Sequence, residues 1–239
     1  MTSGVLRATG LPGPARPVTT GRPQRWLLVL ALVVGAVVTA DVLNRGPLER
    51  LDLRAAEVVG GWGLRDSAAF PFVWSVTQVG GRVTILAVLA VLVGYLVWRR
   101  RTWLPLVRVL TALALLTLVV YGIKYGTGRT APAYPGVFLF HEDGASFPSG
   151  HVANAVLMWG VARWQAVEYG LPLAVQRTLW VLSVLGPLVT GLAMVSLNFH
   201  WVTDAVVGGA VGILLLGVVH ALDAAVLSRW VRARGRQTA

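Results

Sequence analysis

Apolar residues in this chain come in long unbroken runs, and the short segments between the runs hold most of the charge. Six runs, at 26–43, 82–98, 104–123, 150–164, 178–197 and 202–222, come near or reach the roughly 17–25 residues a helix needs to cross a bilayer's hydrocarbon core. Lipid offers no partner to backbone amides, so spans must be helices or closed barrels. These runs are continuous, unlike the ten-residue alternating segments of a barrel, and they predict helices. The fourth is the shortest. Between the first two, residues 47–60 set Leu48, Leu51, Ala55 and Val58 near helical spacing with charges between them. That pattern predicts an amphipathic helix on the outer membrane surface, acting as a lid or as a packed connector. Residues 1–24, rich in Gly, Pro, Thr and Arg, predict a disordered tail. The expected division is that tail, a membrane domain at 25–228 and a basic tail at 229–239.

Composition agrees with the pattern. Of the 239 residues 56% are hydrophobic and 13% charged, and mean hydropathy is +0.69. A soluble domain carries about 25% charge. The absence of cysteine removes disulfides, thiolate metal sites and cysteine nucleophiles. A net charge of +11 would fit a nucleic-acid binder until the basic residues are placed. With the N-terminus cytoplasmic, 14 of the 21 Lys and Arg fall inside and 7 outside, as the positive-inside rule requires. The charge is then mainly an orientation signal. The expectation is an all-α, polytopic protein of the cytoplasmic membrane with six transmembrane helices, both termini inside, and no nucleic-acid partner. The first run, followed by Val38-Thr39-Ala40, also fits a cleaved signal peptide; cleavage would leave the other orientations unchanged.

Three segments carry candidate chemistry, and each has a plain structural explanation when taken alone. KYGTGRTAP, Lys124 to Pro132, follows the third run: Lys124 and Arg129 form a phosphate clamp or are two snorkelling cations. ASFPSGH, Ala145 to His151, opens the fourth run. Ser149 is a good N-cap and Gly150 lets an anion approach the helix N-terminus, with His151 in the first turn. HWVTD, His200 to Asp204, opens the sixth. Four residues apart on a helix, Asp204 can accept the imidazole N–H of His200 and leave the other nitrogen free to attack. Gly208 and Gly212 continue that face, which also fits small-residue helix packing. The topology places all three segments on the outer face. Two histidines, a buttressing carboxylate, two cations and a helix N-terminus suit phosphoryl transfer. His141 and His220 read as a loop and an interfacial histidine. No HExxH spacing occurs.

These segments resemble the three motifs of the type-2 phosphatidic acid phosphatase family, membrane lipid phosphatases related to vanadium haloperoxidases. PSGH at 148–151 is intact, HWVTD supplies the His and Asp, and Lys124, Gly128, Arg129 and Pro132 match the first motif. The resemblance covers about residues 80–222. It implies metal- and cofactor-free hydrolysis of a membrane lipid phosphate (phosphatidate, phosphatidylglycerol phosphate or polyprenyl phosphate) on the outer face. In it His200 is the nucleophile, Asp204 orients it, and His151 is the acid–base. Lys124, Arg129, Ser149 and Gly150 would hold the phosphoryl oxygens.

Two family arginines are absent. One corresponds to Ala131, and the family's Ser-Arg pair corresponds to Ala193-Met194. Each charge-assisted phosphate contact is worth about 1.5–3 kcal/mol. Arg129 or Arg82 would therefore have to stand in. The same departure motivates a catalytically impaired lipid-phosphate binder as the second class of function, and a lipid phosphotransferase is a related enzyme reading. A transporter fits less well, since no interrupted span or repeat is visible.

Overall fold

The computed structural model describes residues 23–133, 139–227 and 229. Both predicted tails lie almost wholly outside the described residues. Among those residues the chain forms eight α-helices: α1 (Arg25–Leu43), α2 (Pro47–Gly61), α3 (Phe70–Thr77), α4 (Arg82–Arg100), α5 (Leu104–Thr127), α6 (Gly150–Glu168), α7 (Leu173–Ser196) and α8 (Val202–Leu222). A 3₁₀ turn at Leu64–Asp66 and a π-turn at Asp223–Leu227 complete them. Five helices, α1, α4, α5, α7 and α8, are long and apolar enough to cross a membrane.

Helix α6 differs in kind. Thirteen of its 19 residues are buried, and α4, α5, α7 and α8 pack around it. A central helix meets protein on all sides, so small residues replace the bulky aliphatics that face lipid elsewhere. Glycines let α8 come close. A Cβ on Gly208 would lie 2.5 Å from the Ser149 carbonyl oxygen, and one on Gly212 would lie 2.8 Å from that of Ala153. In the other direction, a Cβ on Gly160 would meet Leu216 at 2.7 Å.

Several expectations shift. α5 runs a turn past 123, so Lys124 lies on the helix and not after it, and α7 begins at Leu173. The turn at Leu64–Asp66 and helix α3 were not expected; α3 packs on α7. α2 is a helix as expected, with Leu51 50% and Val58 59% exposed, whereas Asp52, at 1%, is turned into the bundle. It packs on α1, α7 and α8, as a connector would. Arg108, one of the 14 basic residues counted as inside, is buried. Its Nε and Nη2 donate to the two Asp223 carboxylate oxygens at 2.9 and 2.8 Å, and Nη2 reaches Glu168 at 2.8 Å. His220, expected at the interface, is likewise buried, with its ring centroid 3.7 Å from that of Trp164.

The α6–α8 contact leaves no room for a methyl group at position 208. Gly208→Ala should lower stability by about 1–3 kcal/mol, the usual cost of overpacking, read as a lower thermal midpoint in detergent. Gly94→Ala, where an added Cβ meets nothing within 4 Å, should be neutral or stabilising through helix propensity.

Candidate active site

The turn into α8 builds the first part of the site. Asp204, at the third helical position, accepts the Trp201 backbone N–H at 3.1 Å and so caps its own helix. The same oxygen, Oδ2, lies 3.2 Å from His200 Nδ1. It also accepts the Ser146 hydroxyl, whose oxygen is 3.2 Å from that Nδ1. A carboxylate can only accept, so Nδ1 carries the proton and Nε2 is the basic nitrogen. His200 lines a cavity of about 610 Å³, within the usual range for ligand sites.

Behind His200 lies a buried ionic network. Arg129, 3% exposed, donates from Nη1 to Asp204 Oδ1 at 2.7 Å and to the Thr203 hydroxyl at 2.7 Å. Its Nη2 donates to Asp52 Oδ2 at 2.7 Å. Asp52 comes from α2 and also accepts the Thr203 backbone N–H at 3.1 Å and the Thr203 hydroxyl. Aromatic rings close the network: the Arg129 guanidinium sits 5.2 Å from the Trp201 ring centroid and 5.9 Å from that of Phe147. Arg129, expected to hold phosphate, is thus placed behind the cavity wall, with its guanidinium committed to two carboxylates.

The N-terminus of α6 supplies the second histidine. Ser149 is its N-cap and accepts the Val152 N–H at 3.5 Å; its own N–H donates to the Asp204 carbonyl at 2.9 Å. Ser149 is fully buried, so it serves the helix end and not the cavity. Gly150 and His151 do line the cavity, as does Lys124, whose ammonium group donates to the Ala145 carbonyl. Arg82 is on the same wall. Its position follows from Gly80, where a Cβ would lie 2.7 Å from the His151 carbonyl oxygen. Asn154 Nδ2 donates to the Gly80 carbonyl at 2.9 Å and Trp159 Nε1 to that of Val79 at 3.0 Å. These contacts dock the start of α4 against α6.

The cavity therefore gathers Lys124, Gly150, His151 and His200 from the expected set, and Arg82 with them. Asp204, Arg129 and Ser149 stand directly behind. Ala131 also lines the cavity, whereas Ala193 and Met194 are buried away from it. Sequence reasoning missed Asp52, Ser146 and Asn154, and the loop carboxylate Asp143 also lines the cavity. Ser146 stood inside the quoted ASFPSGH segment; Asp52 carried no local signal at all. Among the described residues no three His, Asp or Glu side chains gather as a metal site would require.

A protein-family model described as the PAP2 superfamily matches residues 105–227, which is 123 of the 239 residues. The chain belongs to the PAP2 superfamily. Every motif residue from Lys124 to Asp204 lies inside that match, while Asp52 and Arg82 precede it. Among curated relatives of this PAP2 protein, phosphatidylglycerophosphatase B of Bacillus subtilis (strain 168) is 28% identical over 158 residues, covering 62% of this chain and 72% of that one. Among solved structures, the first transmembrane PAP2 type phosphatidylglycerolphosphate phosphatase from Bacillus subtilis superposes with a TM-score of 0.63 at 20% identity. That match covers 84% of this chain and 96% of the other. The shared fold is that of a transmembrane PAP2 protein, and the five apolar helices make this chain an integral membrane protein.

Breaking a buried ion pair from one side costs about 3–5 kcal/mol, because the remaining charge is stranded. Asp52→Ala and Arg129→Ala should each destabilise by that order. The double variant should cost less than their sum, with a coupling energy of at least about 1 kcal/mol in unfolding measurements. Strict additivity would show that the pair is not energetically linked.

Proposed function

We propose that this PAP2 protein hydrolyses a phosphomonoester or diphosphate on a membrane lipid through a phosphohistidine intermediate. The observation that carries the reading is a histidine fixed by a carboxylate, His200 with Asp204, lining one cavity with a second histidine and two cations. His200 Nε2 attacks phosphorus, and the bond from phosphorus to the lipid oxygen breaks. His151 gives its proton to the departing oxygen. In the second step His151 takes a proton from water, the resulting hydroxide attacks phosphorus, and the P–N bond breaks to release phosphate and restore His200. Asp204 keeps the imidazole in the attacking tautomer and offsets the positive charge it gains. Lys124, Arg82 and the N–H groups at the start of α6 face the phosphoryl oxygens.

Arg82 is the residue that answers the missing family arginines. It contributes a second cation to a wall where Ala131 contributes none. Arg129 cannot swing forward without stranding Asp52 and Asp204. The binder reading rests on Ala131 and Met194. It leaves unexplained why a pure binder would hold a tautomer-fixed histidine beside a second histidine.

In the bilayer we place α6 as a sixth span: its 19 residues reach about 28 Å, close to the ~30 Å hydrocarbon core. The excess of basic residues then sets both termini in the cytoplasm and the cavity on the outer face. Phosphatidate, phosphatidylglycerol phosphate and polyprenyl phosphates all suit this chemistry. The B. subtilis relative's name favours the second.

Phosphate release by the purified protein across a panel of these lipids tests the reading. Activity should survive EDTA and vanish in His200→Ala; full activity in His200→Ala would sink the mechanism. Arg82→Ala should lower kcat/KM by about 10- to 100-fold, the value of one charge-assisted phosphate contact, with partial recovery in Arg82→Lys. An unchanged kcat/KM in Arg82→Ala excludes the surrogate role.

A further inference from the structure

A second cavity, of about 990 Å³, is a groove between α1 and α7 with α6 and α8 as its floor. Val152, Val156, Gly160 and Arg163 of the otherwise encased α6 line it. Its walls are apolar, with Leu30 from α1, Leu188 and Leu192 from α7, and Gly209 and Ile213 from α8. One charged side chain lines it: Arg163 of α6, at the end remote from the catalytic cavity. No described residue accepts a hydrogen bond from Arg163 or pairs with it. The carboxylates in that region are occupied, since Arg108 binds both Glu168 and Asp223. Arg163 therefore holds a cation against apolar walls with no counterion among the described residues. A lone cation in such surroundings calls for an anion from outside.

We propose that this groove binds an anionic phospholipid as a non-substrate ligand, with its phosphate on Arg163 and one acyl chain lying along the groove. The dimensions fit. On α8 the lining runs from Val202 to Leu216, about 21 Å at 1.5 Å per residue. That exceeds half of a ~30 Å hydrocarbon core, so an extended chain from one leaflet lies lengthwise in it. Exposed Arg25 and Arg177, near the starts of α1 and α7, add positive field at the same end. A second copy of this chain suits the groove less well. A two-fold contact would bury two unpaired arginines, and no carboxylate lines the groove to receive them. The lipid's far end would reach Val152 and Val202, beside His151 and His200 in sequence, so its occupancy would brace the two helices that carry the histidines.

Native mass spectrometry of the purified full chain, titrated with dioleoyl phosphatidylglycerol or dioleoyl phosphatidylcholine, reads this directly. Phosphatidylglycerol is a phosphodiester and so probes binding without being a phosphomonoester substrate. Wild type should hold one phosphatidylglycerol at least tenfold more tightly than phosphatidylcholine. R163Q should lose that preference and R163K should keep most of it. Gly209→Leu should weaken both lipids, because a Cβ there has only ordinary contact with Val152, at 3.9 Å, and the longer side chain fills the groove. His200→Ala should leave the preference intact, separating this groove from the active site. An equal hold on both lipids by wild type indicates annular lipid only and overturns the proposal. So does a preference unchanged in R163Q, or one that disappears in His200→Ala. Should R163Q aggregate, undiminished binding by Gly209→Leu overturns it equally.

Discussion

The guanidinium of Arg129 is the constraint on which the catalytic end depends. A cation 3% exposed cannot be left unpaired, and it meets two carboxylates from distant parts of the chain, Asp52 on α2 and Asp204 on α8. Satisfying it joins α2, the α5–α6 connection and α8 at one point. It also fixes Ser146, whose N–H donates to the Arg129 carbonyl at 2.8 Å and whose hydroxyl supports Asp204. The charge count matters as much as the geometry. Arg129 paired with Asp204 alone would be neutral, and in the proposed mechanism His200 needs a negative field when it becomes positive. Asp52 restores it: the three side chains together carry one net negative charge, next to the imidazole.

The parts of this arrangement that were legible in the sequence are those set within a turn or two of helix. His200 and Asp204 are four apart, so helix geometry alone brings them together, and the Ser149 cap follows from the residues around it. Gly208 and Gly212 lie on the face that the same spacing predicts. The span starts at 82, 104 and 150 follow charge or glycine that interrupts the apolar runs, and the start at 202 follows Asn198 to Trp201. What escaped depends on contacts across long stretches of chain. Asp52 and Thr203 are 151 residues apart, and nothing near Asp52 distinguishes it from Glu49 or Glu57. Its burial depends on Arg129 and Thr203 meeting it from other segments, which the apolar spacing of α2 does not encode. Arg129 was placed on the phosphate by its nearness in sequence to the family's arginine. Two positions in a non-helical segment were enough to send its side chain behind the wall.

Arg82 illustrates the converse. Its sequence context, the first residue of an apolar span, is that of any flanking cation. What separates it from the others is Gly80, whose lack of a side chain lets the α3–α4 turn press on the His151 backbone, with Asn154 holding that turn by its carbonyl. The cation reaches the cavity because a loop is pinned to α6. In the proposed reading the departures at Ala131 and Met194 are offset by positive charge on a different helix, held there by a glycine outside the family motifs and by an asparagine three residues past His151.

The two ends of the bundle share one solution. At the catalytic end Arg129, just past α5, is held by Asp204 of α8 and Asp52; at the opposite end Arg108, near the start of α5, is held by Asp223 just past α8 and by Glu168 of α6. Lipid tails are as apolar as leucine, so burial alone gives little force to set one spanning helix against another. Buried ionic contacts do set it, because each has few acceptable geometries and a high cost if broken. With both ends tied, α8 cannot slide along α5, and the close glycine contacts with α6 allow no tilt between them. His151 rides on α6 and His200 on the turn into α8. Their separation across the cavity is therefore set by these ties along the whole length of the bundle, and by the local loops only in part.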